Sequence, residues 1–423
     1  MPEPTTQTPP PVAGRKKLRR RRRQLFGLAI VCASLFLALE VGLRWLTRPN
    51  NRFGLLALSP RWPLLPLTAS KGTVRRWIEE RSAPGYQRLD PELGWTLSAS
   101  AASVKSSEGL RYTTNAQGFR APPDRVYATD PPPGKVRLVL LGDSFTHGDE
   151  VNLEDSWAGR LELEDPRLET VNLGVPAYGT DQAFLRWRRD GKPLRSHAVV
   201  LGIWLENVCR NLNVIRFWFS PFSGFLAKPR FVLGPGGEPR LVNSPVPQGE
   251  ELIDAVHAPL SWAGIEHERW FEPALHTRRL SDTSRTFRTL RGLLYWKERK
   301  EARERLYAGE DREGIAVTVA IARLFAQEVE RTGAVPLVVV MPMRDYLDAW
   351  PEEWDLPLAV ELKKAGLNVI NLFPTARLAR EKETVFLPSG HMTPAGHAAM
   401  ARELAGRLPA FLPVLGERSG KPQ

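Results

Sequence analysis

Short, largely apolar runs dominate the pattern of this chain from its second quarter onward. Residues 136–141, 171–173, 198–204, 335–341 and 367–372 are rich in Val, Leu and Ile. Runs of that length and composition read as strands buried on both faces of a parallel sheet. Between them the period changes: residues 317–331 place Ile321, Leu324, Phe325 and Val329 on one helical face. An Ala-rich helix over 394–408 closes the pattern. Strands separated by helices predict an α/β domain with helices on both sides of the sheet.

The N-terminus follows another pattern. Residues 1–14 are rich in Pro and Thr and are expected to be disordered. Eight basic residues lie between Arg15 and Arg23, with Glu3 the only acid before them, so this segment holds most of the formal net charge of +12. The remaining chain has an ordinary charge balance, which makes nucleic acid a poor partner. Fifteen uncharged residues, 25–39, follow directly, and apolar character resumes at Val41, Leu43, Trp45 and Leu46. Counted to Leu46, the stretch is long enough to span a bilayer once. Glu40 and Arg44 stand one helical turn apart and are expected to pair near the interface. No small-x-small cleavage site follows the apolar core, so the segment reads as an uncleaved anchor instead of a signal peptide. The basic flank stays cytoplasmic. The expected placement is single-pass in a bacterial inner membrane, with the catalytic domain periplasmic.

Candidate chemistry sits where the strands end. Gly142-Asp143-Ser144 follows the first buried run, so a serine hydroxyl lies at the carboxyl end of a strand and the start of a helix, where open α/β sheets place ligands. The run at 171–173 leads into Gly174 and a Gly-rich turn, and the run at 198–204 leads into Leu205-Glu206-Asn207-Val208. Near the C-terminus, Pro388-Ser389-Gly390-His391 enters the last helix. These four blocks, with accessory pieces at 90–95 and 114–120, resemble those of the SGNH (GDSL-type) hydrolase superfamily in its membrane-anchored bacterial branch. The resemblance runs from about Asp90 to Arg407. It implies a three-layer α/β/α fold with a mostly parallel five-stranded sheet in the order 2-1-3-4-5.

The same resemblance implies Ser144 as catalytic nucleophile and His391 as catalytic base. It implies the backbone N–H groups of Ser144 and Gly174 and the side chain of Asn207 as oxyanion donors. Imidazole suits the base because it accepts and returns a proton near neutral pH. Two positions depart from the family pattern. A gapless reading puts Glu206 where the Asn is usual, and a carboxylate donates no hydrogen bond unless protonated; on chemistry, Asn207 is preferred. The Asp usual two or three residues before the histidine is replaced by Ser389 and Pro388, which leaves a backbone carbonyl or Glu383 to orient the ring. His147 is given a surface role, and His397 a place behind the site.

The expected organisation is a disordered basic cytoplasmic tail at 1–24, a transmembrane anchor at 25–46, a connector at 47–89, a hydrolase domain at 90–412 with an insertion at about 212–313, and a C-terminal tail at 413–423. The insertion holds a hairpin over 228–243 and an aromatic, Arg-rich part. It reads either as a cap over the substrate groove or as a shield for the sheet that touches the membrane surface. Cys32 lies in the anchor and Cys209 behind a buried strand, so no disulfide is expected. His391 and His397 are six positions apart, a spacing that does not share one helix face, and no metal or cofactor is expected. The expected function is a periplasmic serine esterase or O-acyltransferase acting on acyl esters, acetyl first among them, of cell-envelope glycans or on a small ester. The alternative is a catalytically impaired domain that binds glycan or a protein partner.

Overall fold

The computed structural model describes residues 13–416 apart from 50–51, 54, 60–61, 106–108 and 353–354. Two units separate: residues 69–272 with 297–423, and residues 1–68 with 273–296.

The larger unit is built on five strands: β1 (Val136–Leu141), β2 (Leu168–Asn172), β3 (Ala198–Trp204), β4 (Val335–Met341) and β5 (Val369–Asn371). Their order is β2-β1-β3-β4-β5, and every pairing is parallel. All six residues of β1 are buried, as a strand covered on both faces requires. The helices Trp157–Glu164 and Pro394–Arg407 pack together on one side of the sheet, while Thr180–Arg186, Glu313–Glu330 and Pro357–Lys364 pack together on the other. The result is the three-layer α/β/α fold with the expected strand order. The Glu313–Glu330 helix starts four residues before the predicted 317 and buries Val317, Ile321, Phe325 and Val329, a spacing that turns one stripe to the sheet. Because β2 and β3 lie on opposite edges of β1, the loops leaving β1 and β3 diverge. That opens a crevice at their carboxyl ends.

The smaller unit contains the helix Ala13–Leu46, three short antiparallel strands and residues 273–296. The segment Leu18–Leu46 is long and apolar enough to cross a membrane, and only 6% of its most apolar window is buried. Arg44 Nε donates to Glu40 Oε1 at 2.8 Å, the expected turn-spaced pair.

Three expected boundaries shift. Residues 13–24, expected within a disordered tail, are helical and continuous with the apolar span, since Arg, Lys and Leu are good helix formers. Residues 1–12 lie outside the described residues, as do 417–423 of the expected C-terminal tail. The connector at 47–89 includes a 12-residue helix, Lys71–Ser82, whose first turn is capped where Thr73 N donates to Ser70 Oγ at 3.1 Å. The insertion expected at 212–313 does not stay with the larger unit throughout: residues 273–296 group with the N-terminal helix. Their polar groups are satisfied there, as where Leu67 N donates to Leu275 O at 2.9 Å. The hairpin is present, with Arg230–Leu233 antiparallel to Pro239–Val242.

Candidate active site

Strand β1 ends at Leu141, and Gly142 makes the turn. A Cβ at Gly142 would lie 2.2 Å from Thr146 Oγ1 and 2.9 Å from Gly202 O, so no other residue fits. Asp143 then caps the helix Ser144–His147 by accepting from Phe145 N at 3.0 Å. Ser144 therefore stands at the first helical position with its hydroxyl facing the crevice, and its residue surface is 5% exposed. The helix closes after one turn at Gly148, whose φ is 81°, and the chain turns again at Glu150, whose φ is 64°. Two left-handed residues in three bring the chain back beside Ser144. Glu150 N donates to Tyr112 Oη at 2.6 Å, which secures the turn.

His391 arrives from the loop before the last helix. Leu387 N donates to His391 O at 2.8 Å, closing that loop on itself, and Arg344 Nη1 donates to the Pro388 carbonyl at 2.9 Å. The imidazole meets both partners: Nε2 lies 3.1 Å from Ser144 Oγ, and Nδ1 lies 3.0 Å from Glu150 Oε2. An ionised carboxylate only accepts, so the Glu150 contact assigns the proton to Nδ1 and leaves Nε2 to accept from the serine. Ser389 Oγ donates to the same Glu150 oxygen and accepts from His391 N at 3.3 Å. The His391 and Glu150 side chains are 27% and 25% exposed, so the site is open to a substrate from outside.

Glu150 is not among the residues expected from the sequence, which points to an acid beside the histidine; Glu383 instead faces Arg402, at 3.9 Å. The available signal was the acidic pair Asp149-Glu150 immediately after a glycine that ends the Ser144–His147 helix.

The two remaining oxyanion candidates are otherwise occupied. Gly174 N donates to Asn172 Oδ1 at 2.9 Å. Its lack of a side chain serves packing, since a Cβ there would lie 2.3 Å from His147 N. Asn207 Nδ2 donates to Asp143 Oδ2 at 3.1 Å and to Tyr178 O at 3.2 Å, while its Oδ1 accepts from Trp204 N at 3.0 Å. Asn207 is thus a brace for Asp143. Glu206 takes no donor role either. Burial pushes its carboxyl up, but Arg210, Arg303 and Arg216 outweigh this and hold it below the usual range, so it stays ionised. Arg210 Nη1 adds a 3.0 Å contact to Asp143 Oδ2. Burial drives the Asp143 carboxyl upward against that charge. The Ser144 N–H starts a helix and has no acceptor among the described residues. The same holds for Ala177, a non-glycine at φ 67° between the Pro176 carbonyl, which accepts from Trp95 Nε1 at 3.0 Å, and the Tyr178 carbonyl.

His147 is not a surface residue. It is fully buried, with Nε2 2.7 Å from Tyr86 Oη and Nδ1 2.6 Å from Asp149 Oδ1. Burial lowers its pKa. Tyr86, Gln87, Tyr112, Asp149 and Pro176 line a cleft of about 390 Å³ that borders the Asp149-Glu150 turn. His397 sits behind the site, where its Nδ1 accepts from Trp157 N at 3.2 Å. Among the described residues, no group of three or more His, Cys, Asp and Glu side chains gathers to hold a metal.

No family model matches this chain, and no curated protein matches it. Several solved structures align over much of it. A member of the lipolytic protein G-D-S-L family from Veillonella parvula is 9% identical, covering 65% of this chain and 98% of its own, at a TM-score of 0.31. A lipase/acylhydrolase from Enterococcus faecalis is 12% identical, covering 64% and 96%, at 0.31. A catalytic mutant of an acetylxylan esterase from Geobacillus stearothermophilus is 12% identical, covering 69% and 99%, at 0.33. Likenesses this distant carry no functional weight, and the chemistry rests on the site itself.

Proposed function

We propose that this protein is a serine esterase or O-acyltransferase in which Ser144 attacks an acyl carbonyl, His391 takes and returns the proton, and Glu150 orients the imidazole. One observation carries the reading: a hydroxyl, an imidazole and a carboxylate in hydrogen-bonded series, at 3.1 and 3.0 Å. That series is what nucleophilic acyl transfer through serine needs. The Ser144 Oγ–H bond breaks as the Oγ–acyl bond forms, the proton passes to Nε2, and the leaving alcohol takes it back. Water or a second hydroxyl then accepts the acyl group. The backbone N–H groups of Ser144 and Ala177 are the proposed oxyanion donors, in place of Gly174 and Asn207.

The proposed substrate is an acylated, foremost acetylated, glycan of the cell envelope, with its sugar lying in the cleft of Tyr86 and Tyr112. The proposed location is the periplasmic side of the inner membrane, held by the Ala13–Leu46 helix. The basic flank and the apolar span support that placement. The binding-only reading keeps one supporting observation, that the Asn207 side-chain amide is engaged by Asp143 and the Tyr178 carbonyl. Full-length protein in detergent, treated with a serine-directed phosphonate and assayed on p-nitrophenyl acetate beside Ser144→Ala, separates the two. Labelling and turnover that vanish in the variant are expected; an inert parent protein would leave the binding reading.

A further inference from the structure

We propose that residues 280–294 are seated in the lipid beside the Ala13–Leu46 helix, with acyl chains covering Leu280, Phe287, Leu290, Leu293 and Leu294. The inference rests on the proposed membrane anchoring and adds a second element to it.

Glu40 stands in an apolar helix whose neighbours are exposed, yet it is only 8% exposed itself. Its Oε2 accepts from Ser284 Oγ at 2.7 Å and from Thr286 N and Thr286 Oγ1 at 3.0 Å. Its Oε1 accepts from Arg285 N at 2.9 Å as well as from Arg44. These backbone donors open the 23-residue helix Arg285–Tyr307. The carboxylate therefore caps that helix from another element, at the end where negative charge is favoured. This gives a physical reason for an acid in a membrane-length helix: an intramembrane charge is tolerated when its partners are fixed.

The contact continues past Glu40 into the span. The rings of Phe36 and Phe287 lie 5.8 Å apart. Phe36 is one turn nearer the basic end, about 6 Å along the axis. Phe287, in the first turn of the Arg285–Tyr307 helix, thus meets an apolar residue that the span places in lipid. Its own surface matches. Leu280 is 94% exposed, and Phe287, Leu290, Leu293 and Leu294 are 46, 52, 47 and 55% exposed. Spacings of three and four put the last four on one helical stripe.

The opposite side of the helix is satisfied within the unit: Arg288 Nε donates to Leu65 O, and Arg291 Nη2 donates to Ala274 O at 2.9 Å. The helix bonds its own backbone and its first donors are met by Glu40, which favours entry into hydrocarbon. The Arg285 Nε, without an acceptor among the described residues, stays in the first turn, whose backbone N–H meets the Glu40 carboxylate.

The test uses full-length protein in phosphatidylcholine–phosphatidylglycerol vesicles and a bimane label. Cys32, on the exposed face of the span, reports the anchor, while Cys209 is buried and out of the reagent's reach. Leu290→Cys in a Cys32→Ser background reports the proposed element, and Leu294→Cys reads the same stripe should the first variant fail to fold. Nitroxide on the lipid acyl chains is expected to quench both positions severalfold more than aqueous iodide does. If Cys32 is quenched from the lipid and position 290 from the water, the proposal is overturned and the anchor stands. If Cys32 itself is quenched by iodide, the anchoring reading fails and takes this inference with it. Adding Glu40→Ala to Leu290→Cys is expected to raise iodide quenching; no change would count against the cap's role in seating the helix.

Discussion

His391 Nδ1 and Glu150 Oε2 lie 3.0 Å apart although 241 positions separate them along the chain. Glu150 reaches that place only in a left-handed conformation, φ 64°, which a residue with a side chain adopts at a cost of about 1–2 kcal/mol. Strain of this kind persists where surrounding bonds over-determine it, as the Tyr112 hydroxyl does here.

Glu150→Gln is expected to lower kcat on a p-nitrophenyl ester by on the order of 10⁴-fold, with KM little changed, because the imidazole loses the partner that sets its tautomer. Glu150→Gly is expected to lose activity equally while thermal stability holds or rises, since glycine relieves the backbone. Ser389→Ala removes one donor to the same carboxylate and is expected to cost about tenfold in kcat. Steady-state kinetics and thermal melts check all three.

Gly174→Ala tests the packing role of that glycine. The added methyl would meet His147 N at 2.3 Å and Thr146 C at 2.7 Å, both backbone atoms of the Ser144–His147 helix. A loss of about 3 kcal/mol is expected in denaturant unfolding, together with lower kcat in whatever protein folds.

Asn207 distinguishes bracing from oxyanion binding. Asn207→Ala removes one of two donors to Asp143 Oδ2 and to the Tyr178 carbonyl, Arg210 Nη1 being the other, and leaves Trp204 N without its acceptor, an expected loss of about 1–3 kcal/mol. Asn207→Asp sets a second carboxylate against Asp143 and is expected to destabilise more at neutral pH. Because the pair then shares a proton, its folded pKa is raised. The deficit should therefore shrink as pH falls toward about 4. A variant that stays fully stable and loses only kcat would overturn the bracing role.

Acid stability should report His397. Burial, with the nearby His391 adding to it, drives the ring from the usual 6.5 down to about 3. Between those values the unfolded chain binds the proton and the folded protein does not, so stability is full above pH 6.5 and falls as pH drops toward 3. Protonation would also remove the acceptor for Trp157 N. The melting temperature of the parent protein is expected to decline over this window more steeply than that of His397→Asn.

Much of this was legible in one dimension because it depends on local pattern. Five apolar runs and the helices between them predict the layers, and the turn at Gly142-Asp143-Ser144 follows from steric and capping rules acting within five residues. Ser144 and His391 were recognisable as residue types in blocks. Strand ends were less so: 367–372 shortens to Val369–Asn371, because ladder pairing with β4, more than apolar content, ends a strand.

What the sequence by itself determined, then, is which segments are buried, which could cross a membrane, and where a serine meets a helix start. Tertiary structure alone decided the partners. Glu150 instead of an acid near Ser389, Asn207 as a brace, His147 inside instead of outside, and Glu40 capping a helix some 245 positions away are all meetings between distant segments. Hydrogen-bond partners are chosen by position in space to within a few tenths of an ångström, and a linear pattern of polar and apolar residues holds no such distance.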